Sequence, residues 1–168
     1  MNIKELIQET KLPRAEAELL LAFLIQKPRE FIIVHEKNIL SPALIKKFKA
    51  AEKKRLLNFP LAYLTGHKEF YGLDFLVNKN VLVPRPETET LVEMILNYAR
   101  QKKNGLDFID IGTGSGAIII SIASELAKQS EIIFNNSSFL GIDVSAPALK
   151  IASQNAKTNT LNKKIAFL

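Results

Sequence analysis

The chain has 168 residues, 47% hydrophobic and 24% charged, with 7 Gly and 7 Pro, a usage that excludes collagenous, low-complexity and wholly disordered classes. It holds no cysteine and two isolated histidines, which excludes disulfides, thiolate nucleophiles and cysteine zinc sites within these residues, and no metal is expected. The longest apolar run, Leu19 to Ile25, is far short of the ~20 residues that cross a bilayer, and Met1-Asn2-Ile3-Lys4-Glu5 lacks a signal-peptide layout, so a cytoplasmic location without membrane contact is expected.

The first sixty residues read as short helices. Asn2 to Glu9 places Ile3, Leu6 and Ile7 on one face, and Arg14 to Gln26 is apolar nearly all round and is expected to be buried. Ser41-Pro42 is a cap followed by a first-turn proline. The helix after it repeats Leu44, Ile45, Phe48 and Ala51 at helical spacing and carries Lys46, Lys47, Lys49, Lys53, Lys54 and Arg55. The net charge of +6 is therefore concentrated in the N-terminal half, where residues 1–80 hold 14 Lys/Arg against 9 Asp/Glu. That basic face is either a solvated outer surface or a docking surface for an acidic protein or an RNA-rich assembly. No nucleophile or glycine loop occurs here, so residues 1–58 read as a helical recognition domain.

Residues 59–85 read as a linker with a β-hairpin, since His67 to Val77 sets aromatic and branched residues around Gly72. Pro84-Arg85-Pro86 forces extended backbone, and a helix from Pro86 to about Arg100 is expected to bury Leu91, Val92, Ile95 and Ala99. From Leu106 the pattern becomes strand, glycine turn, helix, strand, helix. Leu106–Ile111 is an expected buried strand, Ala117–Ala127 a helix and Glu131–Ser138 an extended surface loop. Phe139–Asp143 is a second strand, Ser145 to about Thr158 a helix, and Ile165–Leu168 a third strand. Such alternation predicts an α/β fold with a parallel sheet and crossover helices over residues 86–168.

The turn Gly112-Thr113-Gly114-Ser115-Gly116 allows positive φ and close backbone approach, so a nucleoside-type ligand is expected there. Gly112-x-Gly114-x-x-Ala117 also satisfies a dinucleotide fingerprint. Asp110, two residues earlier, would repel a pyrophosphate but favour an ammonium or sulfonium ligand; its alternative role is to accept hydrogen bonds from the turn itself. Asp143 ends the second strand, where a carboxylate can accept both ribose hydroxyls, or could cap the next helix, although Ser145 suits that cap better. Arg85, Glu87 and Glu89 fall just before or inside the helix from Pro86, where the two acids could stabilise its N-terminus or the segment could fold over the ligand.

Several stretches together carry a family resemblance: Pro60-Leu61-Ala62-Tyr63-Leu64-Thr65-Gly66, Glu69 to Phe75, Val83-Pro84-Arg85-Pro86-Glu87-Thr88-Glu89-Thr90-Leu91-Val92-Glu93, Asp110 to Ile118, and Asp143-Val144-Ser145. In these the chain resembles the bacterial peptide chain release factor glutamine methyltransferases. The resemblance implies a small N-terminal helical domain and a Rossmann-like class I methyltransferase domain over residues 86–168. It implies methyl transfer from S-adenosylmethionine to the side-chain amide of the glutamine in a release factor's Gly-Gly-Gln loop. By position, Gly112, Thr113, Gly114, Ser115 and Gly116 would approach the methionine part, Asp143 the ribose and Asp110 the ammonium, with Thr88 and Glu89 contributing from the linker helix.

The family orients its acceptor amide with an Asn-Pro-Pro-Tyr segment, which this sequence does not contain, so no catalytic residue is assigned and that motif is expected beyond Leu168. Gly105 to Leu168 has room for about two strand–helix units, fewer than the family's sheet, which reads as a truncated, incomplete domain with an exposed apolar edge. The 168-residue chain alone is expected to be a monomer that binds cofactor weakly and transfers nothing. Release factors are the expected partners, with nucleic acid touched only indirectly or weakly. The competing readings are a nucleic-acid amino-nitrogen methyltransferase, an NAD(P)-dependent oxidoreductase and a non-catalytic binding module.

Overall fold

A computed structural model describes residues 1–168 as two compact units, Met1–Thr65 and Gly66–Leu168. The first is helical: α1 Ile3–Glu9, α2 Arg14–Ile25, α3 Arg29–Val34, α4 Pro42–Leu56 and α5 Leu61–Thr65. Asn2 and Glu5 close a reciprocal capping box at the start of α1, and Ser41 caps α4 ahead of its first-turn proline. Ile3, Leu6, Leu20, Leu21, Ile32 and Phe48 form the core of this unit. Each such side chain contributes roughly 1.5–3 kcal/mol on burial.

Helix α2 is not buried all round, as its composition predicts: Leu19 and Phe23 are 45% and 43% exposed, because the packing partners lie on the Ala17, Leu20, Leu21 side. The same helix buries Glu18, which Arg14 Nε approaches at 2.7 Å and Arg29 Nη2 at 2.7 Å, so the carboxylate is paired where it leaves water. Of the basic residues on α4, Arg55 pairs with Glu16 and Lys49 with the buried Glu52. Lys46, Lys47, Lys53 and Lys54 remain on its exposed surface.

The second unit opens with an antiparallel hairpin, β1 His67–Phe70 and β2 Leu73–Leu76, in which Tyr71 and Gly72 both adopt positive φ as a tight two-residue turn requires. The Tyr71 hydroxyl donates to Glu93, and burial together with that carboxylate pushes it up to about 12. A single 3₁₀ turn, Pro86–Thr88, leads into α6 Glu89–Arg100. This helix buries Val92, Leu96 and Ala99, whereas Leu91 is 45% exposed, so its apolar stripe is rotated from the expected one.

The remaining elements are β3 Asp107–Ile111, α7 Ala117–Gln129, α8 Glu131–Asn136, β4 Ser138–Ile142, α9 Ala146–Thr158 and β5 Ile165–Phe167. The three strands form a parallel sheet in the order β3-β4-β5, which is the expected α/β alternation. The stretch expected as an extended loop is instead α8. Ser130 accepts the Ile133 N–H as its cap, Ser137 Oγ donates to the Ile133 carbonyl at 2.7 Å, and Ile133 is buried.

Register puts Phe108, Asp110, Phe139, Gly141, Ile165 and Phe167 on one face of the sheet and Ile109, Ile111, Leu140, Ile142 and Ala166 on the other. Phe139, Gly141 and Ile165 on the first face are buried, but β3 is not a buried strand as its composition predicts, since Ile109 and Ile111 are 61% and 83% exposed. The chain's own helices leave those two isoleucines uncovered.

Candidate functional site

The carboxyl ends of β3 and β4 bring Asp110, the turn 112–116 and Asp143 together. Gly112, Gly114 and Gly116 all have positive φ, at +76°, +55° and +79°. At Gly116 packing also demands glycine, because a Cβ would come within 2.8 Å of Ile120 Cδ1 and 3.3 Å of Ala152 Cβ. At Gly112 a Cβ would meet nothing within 4 Å, so that position faces open space.

The backbone N–H groups of this turn are mostly engaged. Gly112 and Thr113 donate to the Ile142 carbonyl at 2.8 and 2.9 Å, Gly114 donates to Asp143 Oδ2 at 2.9 Å, and Gly116 donates to the Thr113 carbonyl at 2.8 Å. A diphosphate needs those donors free. These four amides are therefore withdrawn from a diphosphate, which weakens the dinucleotide reading, whereas the Ser115 and Ala117 amides have no such partner.

Both carboxylates are fixed by their neighbours. Asp143 Oδ1 accepts the Ser145 N–H at 2.9 Å and Oδ2 the Gly114 N–H, leaving acceptor capacity on each oxygen for a vicinal diol. Ser145 itself caps α9. Asp110 Oδ2 accepts from Thr113 Oγ1 at 2.7 Å. Burial is the main cause that raises its carboxyl above the ordinary value, Asp143 adds to the rise, and the Thr113 hydroxyl and Ile119 amide oppose it. A half-buried carboxylate with a second carboxylate nearby and no cation paired to it is suited to a positively charged ligand group.

Glu89 and Thr88 stand at the start of α6, and Glu89 Oε1 accepts the Tyr71 N–H at 3.0 Å in the hairpin turn. No hydrogen bond joins either residue to the glycine turn. Sequence reasoning passed over Asn155, which is 1% exposed and donates through Nδ2 to the Ser115 carbonyl at 2.8 Å. Its signal was present: α9 buries Ala148, Ile151, Ala152 and Ala156, and a carboxamide on that apolar stripe requires polar partners. Gly141 was also passed over as a site residue; a Cβ there would come within 3.0 Å of Thr113 Oγ1, so its absence lets the turn settle against β4.

A parallel β-α-β sheet with two acids beside a glycine turn fits the Rossmann-like fold of class I methyltransferases. A family model described as a methyltransferase domain matches residues 102–168, and one described as the PrmC N-terminal domain matches residues 2–66. The chain is 38% identical to the release factor glutamine methyltransferase of Nitratidesulfovibrio vulgaris over 95% of its own length and 51% of the relative's. It is 39% identical to that of Coxiella burnetii, over 94% and 54%, and 35% identical to that of Aliivibrio fischeri, over 89% and 49%. The chain belongs to the release factor glutamine methyltransferase family, and it spans about half the length of the curated relatives it matches. No helix is long and apolar enough to cross a membrane.

Proposed function

We propose that Asp110, the turn 112–116 and Asp143 bind S-adenosylmethionine, and that this domain, joined to an acceptor-orienting segment that these 168 residues do not contain, serves methyl transfer to the side-chain amide nitrogen of the Gly-Gly-Gln glutamine in peptide chain release factors. The observation that carries the cofactor reading is the chemistry of the donor set. Two convergent carboxylates beside a turn whose amides are mostly engaged favour a ligand that is cationic and rich in hydroxyls over one that carries a diphosphate. S-adenosylmethionine has that character and supplies an electrophilic methyl group when bound.

The roles follow from position. Asp110 holds the ammonium through charge, and its raised carboxyl is brought back toward the ordinary range by that cation. Asp143, oriented by the Gly114 and Ser145 amides, accepts the ribose hydroxyls. Gly112 leaves room for the ligand's close approach. Thr88 and Glu89 are proposed to border the same site from the start of α6. Residues 1–58 are proposed to recognise the release factor, with residues 59–85 as the connection that carries the hairpin. The names of the relatives support this choice of substrate.

Equilibrium dialysis with labelled S-adenosylmethionine, followed by titration with a purified release factor, tests both halves of the reading. Saturable retention of both supports it. Failure to retain the cofactor contradicts the first half, and salt-sensitive binding to RNA in preference to the release factor contradicts the second.

A further inference from the structure

Three carbonyl and amide groups from two separate elements converge on one side chain. Asn155 Oδ1 accepts the Leu76 N–H at 2.7 Å, and Nδ2 donates to the Leu76 carbonyl at 3.0 Å and to the Ser115 carbonyl at 2.8 Å. Two acceptors and one donor around the carboxamide also fix which end is oxygen and which is nitrogen.

At Leu76 the carboxamide supplies one donor and one acceptor to the outer edge of β2, as a neighbouring strand would. A lone two-stranded hairpin is marginal in water, so this edge pairing bears on whether the hairpin stays ordered. At the other end, Asn155 holds the carbonyl of the Ser115–Gly116 peptide while the Thr113 carbonyl holds its N–H at 2.8 Å. That peptide joins Ser115 to Gly116, with Gly114 one residue earlier, and the two glycines let this stretch populate other conformations. The Asn155 bond selects one of them.

We propose that Asn155 is a positioning residue that couples occupancy of the glycine turn to the order of the hairpin His67–Leu76. The inference rests on the cofactor reading above. A ligand that rigidifies the turn restricts the Ser115 carbonyl, hence the carboxamide, hence the outer edge of β2. The hairpin follows the N-terminal helical unit directly in sequence, so cofactor binding would reach the segment next to the recognition domain without any residue of the hairpin touching the ligand.

Amide hydrogen exchange with and without S-adenosylhomocysteine tests this, with ligand binding measured separately by calorimetry. In the wild-type chain, saturating ligand is expected to slow exchange at Leu76 and its hairpin neighbours by about tenfold. In Asn155→Ala the ligand-dependent change in the hairpin is expected to vanish while protection within the turn persists. Asn155→Thr, neutral and close in size, whose single hydroxyl cannot span both elements, should behave likewise and serves where the alanine variant does not fold. A merely structural role for Asn155 would lower stability without erasing the response. Ligand binding with unchanged hairpin exchange in the wild type, or an undiminished response in a folded variant, overturns the coupling. Failure of the wild type to bind the ligand overturns the cofactor reading and takes the coupling with it.

Discussion

The Gly114 amide donates to the Asp143 carboxylate across 2.9 Å, joining the middle of the glycine turn to the end of the neighbouring strand. One residue thus both shapes the turn and faces the open side of it. Asp143→Ala is expected to lose the Gly114 and Ser145 hydrogen bonds together with the ribose contact. Its affinity for S-adenosylhomocysteine should fall by roughly 30- to 100-fold, the equivalent of a charge-assisted hydrogen bond or two, and its stability by about 1 kcal/mol. Calorimetric titration and a denaturant melt read the two effects. An affinity that stays unchanged while stability falls would confine Asp143 to a structural role.

Asp110 shows the opposite balance. Burial raises its carboxyl, so the folded chain holds this proton more tightly than the unfolded chain does. Between the ordinary carboxylate value and the raised one, folding takes up a proton, and as pH rises through that window stability falls. Above it the domain carries a desolvated charge. Asp110→Asn is expected to stabilise the ligand-free protein by about 1 kcal/mol at pH 7, to flatten this part of the pH profile, and to weaken binding of the cationic cofactor by roughly tenfold or more. Thermal melts from pH 4 to pH 8, with and without S-adenosylmethionine, give all three quantities.

Glu18 titrates in the other direction. The Arg14 hydrogen bond, and then Arg29, hold its carboxyl below the ordinary value against the cost of its burial. Its contribution to stability is present above the unfolded-state value and is lost as pH falls through the depressed one. Glu18→Gln should therefore weaken the acid limb of the unfolding curve. Both arginines are largely solvent-exposed, so the loss at pH 7 is expected to be modest, about 1 kcal/mol, and to shrink in high salt. Chemical denaturation at two salt concentrations measures it.

Gly116→Ala combines two penalties, a left-handed backbone at φ +79° and a Cβ 2.8 Å from Ile120 Cδ1. A cost of roughly 2–3 kcal/mol is expected. Gly112→Ala shares the first penalty without the second, since nothing lies within 4 Å, and is expected to cost about 1 kcal/mol while obstructing the ligand. Comparing unfolding free energies with S-adenosylhomocysteine affinities separates packing from ligand clearance.

Much of this architecture was legible in the residues themselves. The capping signals at Ser41 and Ser145, the hairpin around Gly72 and the strand–turn–helix order around Gly112 act locally, and each appears in the fold. Helices α3 and α5 went unpredicted because six and five residues are too few to show a period. The asparagine-rich stretch at 131–138 read as loop because its ordering comes from Ile133 packing, a tertiary effect. The glycine turn between strand and helix was legible, but not the fate of its amides: Ile142 and Asp143 engage three of them from the end of the neighbouring strand, and no local pattern shows that. Asn155 was hidden for the same reason, since its partners Leu76 and Ser115 lie 79 and 40 residues away.

The most direct test of whether this turn faces an ammonium-bearing sulfur nucleoside or a diphosphate is a paired calorimetric titration of the 168-residue chain with S-adenosylhomocysteine and with NADH. Saturable binding of S-adenosylhomocysteine, weakened in Asp110→Asn and Asp143→Ala, with no heat from NADH, is the expected result. Preferential binding of NADH, or S-adenosylhomocysteine binding indifferent to both substitutions, would contradict the assignment of the site.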